Sequence, residues 1–95
     1  MPAYVIAETD INNPEQYERY RAVVPATLEA YGGRFLVRGG EHIVLEGEWQ
    51  PTRLVVIEFD DLAAVRRWYD SPEYQEAKQV REGAAIMRIV AVQGV

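Results

Sequence analysis

The single histidine of this chain, His42, lies in an alternating stretch that runs to Glu46, and a second alternating stretch follows from Arg53 to Phe59. A hairpin pairing position 42 with 58 and 46 with 54 would set His42 opposite Glu58, with Glu46 further along the same face. An imidazole held by a carboxylate is a general base, because its ordinary pKa of about 6.5 lies near neutrality. Arg34, Arg38 and Arg88 share that parity and could hold an enolate or carboxylate oxygen. The chemistry implied is proton abstraction beside the carbonyl of a small anionic or aromatic compound. His42 is then the base, Glu58 its orienter, and Glu46 and the arginines the substrate contacts. All of it rests on register, since a slip by one residue sends every side chain to the opposite face.

Tyr74 and Arg81 form a second candidate pair, seven positions apart on one helical face. A phenol beside a guanidinium could bind a carboxylate ligand. The plainer reading packs Tyr74 against Trp68 and pairs Arg81 with an acid such as Glu58 or Asp70. The charged strand residues have a plain reading too: Arg–Glu pairs across strands are ordinary sheet or dimer contacts, and a histidine just after Gly39-Gly40-Glu41 suits a solvated loop. That alternative makes the chain a non-catalytic binding or interaction module.

Metal binding is not expected. His42 with Glu46 and Glu58 would make one imidazole and two carboxylates, but no His-x-His or His-x-x-Glu spacing supports them. Glycine motifs for nucleotides and the nucleophile elbow of hydrolases are both missing, so no cofactor is expected. Gly32, Gly33, Gly39 and Gly40 serve backbone geometry in this reading.

The elements that position these residues follow from periodicity. Ala3–Glu8 alternates as a strand. Asn13 caps a helix that opens on Pro14, with Gln16 as a capping-box partner. Tyr17, Tyr20, Val24, Leu28 and Tyr31 then mark one helical face. Pro25 predicts a kink or break, and Gly32-Gly33 the end. A long strand bent at Gly39-Gly40 runs from Arg34 to Gly47. Glu48–Thr52 turns into the strand Arg53–Phe59, with Trp49 as a dimer contact or a lid. Asp60 or Asp61 caps a helix carrying Leu62, Val65, Trp68 and Tyr69. Ser71-Pro72 starts a short helix, and a strand from Ala85 or Ile86 to Val92 closes the chain.

Strand, helix, strand, strand, helix, strand is the split βαβ, ferredoxin-like plan: an α+β domain with a four-stranded antiparallel sheet and helices on one face. Odd positions (Val5, Ala7, Val55, Ile57) form the helix-facing side, with Arg53 as the one charged exception at a strand edge. Even positions (Ile6, Leu36, Val44, Val56, Val90) leave an apolar strip uncovered. Monomers rarely expose patches beyond a few hundred Å². Covering ~600 Å² is worth roughly 15 kcal/mol before the costs of association. The sheet-face homodimer is the expected remedy, with a polar cleft on that face near Gly39-Gly40.

Composition limits the partners. The chain has 95 residues, a formal net charge of -5 and no cysteine. A single domain follows, residues 1–95, without the basic stripe that nucleic acid or an anionic membrane would require. No disulfide framework or thiolate chemistry is available, and a reducing cytoplasm is the expected compartment. Met1-Pro2-Ala3 leads into a strand with no signal peptide, and no apolar run approaches a membrane span.

The segments AYVIAE, YxxYRxxVPATLEAYGGRFLVRGG, LEG, RLVVIEF and WYDSPEYQEAKQVRE resemble the bacterial family grouped as domain of unknown function 1330, within the dimeric α/β-barrel superfamily. YGGRFLVRGG and SPEYQ are the more specific of these. The resemblance implies a ferredoxin-like protomer and a barrel-like dimer, and no established reaction. The superfamily includes cofactor-independent monooxygenases, muconolactone isomerase and haem-binding proteins, so fold does not name function.

Overall fold

A computed structural model describes residues 1–95. The elements are β1 (Ala3–Ile11), α1 (Pro14–Tyr31), β2 (Arg34–Arg38), β3 (Leu54–Phe59), α2 (Leu62–Tyr69), α3 (Pro72–Val80) and β4 (Ala85–Gln93). The four strands form one antiparallel sheet in the order β2-β3-β1-β4. This is the split βαβ arrangement, and parity holds in β1 and β3. Ala3, Val5, Ala7 and Thr9 are buried beneath the helices, as are Val55, Ile57 and Phe59, while the residues between them are half-buried on the open face.

Local chemistry sets the helix ends. Asn13 Oδ1 accepts from the Gln16 amide at 3.1 Å, Asp61 Oδ1 from Ala64 at 2.7 Å, and Ser71 Oγ from Tyr74 at 3.1 Å. Gly32 stops α1 with φ 78°, where a Cβ is strained. Gly33 has a different reason to be glycine: a Cβ there would come within 2.6 Å of Phe59 Cζ. Gln16 does not close a capping box. Its side-chain amide instead donates to the carbonyls of Val80 (2.9 Å) and Glu82 (2.8 Å), tying the start of α1 to the end of α3.

Three expectations give way. First, of the kink or break expected at Pro25 the break is absent, and α1 is one continuous helix. Proline lacks the N–H that would bond the Arg21 carbonyl, and Arg38 Nη2 supplies a donor to that oxygen at 2.7 Å. Second, the register along β2 shifts between Phe35 and Val37. Leu36 is the extra residue of a bulge, so Val37 pairs with Val56 and Arg38 with Val55, and Arg38 turns to the helix side. Third, no strand runs from His42 to Gly47. Residues 39–53 are irregular, and β3 starts only at Leu54. A continued hairpin would need Trp49–Arg53 as its second strand, where Pro51 offers no donor.

Candidate functional site

The corrected register separates the residues that the hairpin was expected to join. Glu58 pairs with Arg34 on one side and Tyr4 on the other, and Arg34 forms its ion pair. His42 is exposed in the 39–53 segment, where its Nε2 meets the Pro51 carbonyl oxygen at 2.7 Å. Glu46 is exposed in the same segment, and Val44 leaves the sheet face. His42→Ala should therefore lower stability by no more than ~1 kcal/mol in a urea titration, about one hydrogen bond's net contribution. A loss of several kcal/mol would mean that His42 organises the segment. No three His, Asp or Glu side chains converge closely enough to hold a metal ion.

Arg88 remains on the open face, at 3.3 Å from Glu8 Oε1 and 3.8 Å from Asp10 Oδ2. Trp49 Nε1 donates to Glu8 Oε2 at 3.0 Å, and Thr52 Oγ1 to Asp10 Oδ1 at 2.6 Å. These bonds tie the 39–53 segment to β1. They also satisfy the acids, so this end of the face has few free polar groups for a ligand.

The concave site lies on the other side of the sheet. A partly open cavity of about 30 Å³ lies between α1 and the strands, and a shallow groove of about 280 Å³ adjoins it. Tyr17, Arg21, Arg38 and Arg53 line both. The rest of the cavity wall is mostly apolar, with Phe35, Val55 and Trp68 among it. Arg38 packs its guanidinium 4.3 Å from the centre of the Phe35 ring, and Arg53 lies 5.6 Å from that of Tyr17. Arg53 Nη1 also reaches Tyr17 Oη at 3.3 Å. Glu18, which contacts Arg21 at 3.4 Å, is the one carboxylate of the groove. Three cations thus meet one acid. Burial, then the charges of Arg21 and Arg53, push the Arg38 pKa below its ordinary value.

Tyr20 and Tyr74 line the same cavity, with their hydroxyls 2.9 Å apart. Tyr74 is fully buried against Trp68, ring centres 4.3 Å apart, as the packing reading expected. Arg81 pairs with neither Glu58 nor Asp70. Its guanidinium stands 5.5 Å from the centre of the Tyr20 ring, and its Nε is buried without a partner. Burial, reinforced by Tyr74, raises the Tyr20 pKa, so the phenol remains neutral. Two hydroxyl protons serve one mutual bond and an arginine accepts none, so one phenolic proton has no acceptor among these three side chains.

Arg21 and Arg53 line this candidate cleft without an expectation from the sequence, although Arg53 is the one charge on the helix-facing parity. Arg38 lies on the helix side, opposite to the open face that its parity predicts.

Against known proteins, the family described as Domain of unknown function (DUF1330) matches residues 2–95. The chain belongs to that family. No protein of curated function matches it by sequence. Among solved structures, a protein of unknown function from Rhodopseudomonas palustris is similar at 20% identity with a TM-score of 0.76, covering 99% of this chain and 82% of that one. SnoaB, a cofactor-independent oxygenase from Streptomyces nogalater, is similar at 14% identity and TM-score 0.69, covering 99% and 93%. A dimeric ferredoxin-like protein of unknown function from Thermobifida fusca follows at 19% and 0.61, covering 97% and 92%. These likenesses establish the ferredoxin-like fold for this DUF1330 chain. No helix is long and apolar enough to cross a membrane.

Proposed function

We propose that the protein binds a small, flat, oxygen-bearing anion in the arginine-rimmed cleft beneath α1, and holds an aromatic or enolisable carbonyl compound as its phenolate or enolate. One observation carries this reading: Arg21, Arg38 and Arg53 converge where a polar groove meets an apolar cavity, with a single carboxylate, Glu18, among them. Guanidinium groups within ~4–6 Å of an acidic oxygen lower its pKa by about 1–3 units, favouring the anion. Cofactor-independent oxygenation and double-bond isomerisation both pass through such an anion, and SnoaB is a cofactor-independent oxygenase. The Tyr20–Tyr74 pair supplies the inner hydrogen-bond donor. His42, Glu46 and Glu58 take no part in this site, and Arg34 and Arg88 serve the open face. A cysteine-free chain suits a reducing cytoplasm.

The test is a fluorescence titration with 1-hydroxy-2-naphthoate and its uncharged counterpart, 2-methylnaphthalene. The acid should bind more tightly, and Arg53→Met should weaken it by about tenfold, the scale of a charge-assisted hydrogen bond. Equal affinity for the two probes, or an unchanged affinity in Arg53→Met, would deny the arginines a ligand.

The open face supports a separate statement, that the chain pairs with itself there. Reading across the sheet, Val37, Val56, Ile6 and Val90 stand side by side as one apolar row. Val90 is 59% exposed and Val37 40%. Rows with the ion pairs Arg34–Glu58 and Arg88–Glu8 lie on either side of it. An apolar centre with a polar rim is the anatomy of an interface.

A further inference from the structure

We propose that Ile43–Leu45 of one copy dock into the groove between α2 and the outer edge of β4 in a second copy. Ile43 and Leu45 are 75% and 87% exposed, and Val44 between them is also exposed. Three consecutive apolar side chains in water are a liability unless something covers them. Their segment belongs to no strand, so its backbone donors and acceptors are available.

The groove is the complement. It measures about 510 Å³ and is walled by Leu62, Val65 and Tyr69 of α2 and by Ile89 and Ala91 of β4. β4 pairs only with β1, so its outer edge offers unpaired N–H and C=O groups to an added extended segment. Arg66 is the one charged residue of the groove, and it lies 3.7 Å from the exposed Asp70 carboxylate, a solvated pair that leaves guanidinium donors free. Glu41, Glu46 and Glu48 flank the apolar tripeptide, so its charges match that cation.

Symmetry selects a second copy as the occupant. Trp49 and Thr52 hold the segment on the open face through Glu8 and Asp10, whereas the groove opens under the helices. A twofold axis along the strands that packs open face on open face sets β2 of one protomer over β4 of the other. The segment leaving β2 then passes the partner's β4 edge, beside its groove. The inference therefore rests on the sheet-face pairing proposed above.

A chain without cysteine allows a direct test. A tagged Leu45→Cys chain is mixed with untagged Leu62→Cys and oxidised, and Leu45→Cys with Glu76→Cys serves as the control. The first pair should form the mixed disulfide at least about tenfold faster. Ile43→Glu combined with Leu45→Glu should weaken dimerisation by about tenfold with an unchanged melting temperature of the protomer, since both residues are exposed. Equal crosslinking rates in a protein that sediments as a dimer would overturn the docking alone. A chain sedimenting as a monomer at all concentrations would overturn the docking and the sheet-face pairing together.

Discussion

Truncation of Trp68 to alanine is expected to destabilise the fold by ~3–5 kcal/mol, the range for deleting a fully buried large aromatic. Trp68 is 2% exposed and lies between Phe59 and Tyr74, with ring centres at 5.4 and 4.3 Å. Its indole N–H donates to Thr27 Oγ1 at 3.0 Å, and that hydroxyl donates to the Val24 carbonyl at 2.7 Å. One side chain thus joins α2, α1 and the sheet. Its removal adds volume to a cavity that it already lines, and the walls are strands and helices that cannot collapse inward freely. A domain of this size holds about 5–15 kcal/mol in total, so the variant should be partly unfolded near 37 °C. Trp68→Phe retains a ring and loses the hydrogen bond, and should fall between wild type and the alanine variant. Circular dichroism during urea unfolding reads both. A loss under ~1 kcal/mol for Trp68→Ala would show that the aromatic cluster is not the centre of the core.

The element order and the helix-facing side were legible in the residues because they follow from repeating physics. β1 and β3 alternate strictly, and Tyr17, Tyr20, Val24 and Leu28 keep helical spacing. Capping at Asn13, Asp61 and Ser71 follows from side chains that compete for backbone amides. The site was not legible, because it depends on interruptions of these repeats. No glycine or proline marks the bulge at Leu36, yet that one residue reverses the face of Arg38. Pro25 was read as a breaker because its effect on the helix is local, whereas the partner of the Arg21 carbonyl comes from β2. The 39–53 segment misled through its polarity pattern. Alternation identifies a segment able to be a strand, and a strand still needs a partner edge. The misplaced hairpin and the misplaced pocket have the same origin, since both assumed that alternation continued past Gly39.

Placing a charge in the apolar row should abolish self-association. Val56 pairs with Ile6 on one side and Val37 on the other, so it occupies the middle of the open face. In one protomer it is half-buried, and an aspartate there can turn to water at little cost. Under a twofold axis along the strands, the Val56 position faces the partner's Ile6, and the two aspartates of Val56→Asp lie in a desolvated centre with no cation at their level. The nearest open-face arginines, Arg34 and Arg88, occupy the flanking rows and already hold Glu58 and Glu8. Burying an unpaired carboxylate costs several kcal/mol per ion. Dimerisation should therefore weaken by a hundredfold or more, equivalent to ~2.7 kcal/mol or greater. Sedimentation velocity across a micromolar concentration series would show monomer for the variant and dimer for the wild type. Binding of 1-hydroxy-2-naphthoate should persist in the monomeric variant, because Arg21, Arg38, Arg53 and the tyrosines all come from one protomer on the opposite side of the sheet. A variant that still sediments as a dimer would place the contact elsewhere on the molecule. Loss of ligand together with the dimer would mean instead that the cleft needs its twin, and the two faces of the sheet would then form one functional unit.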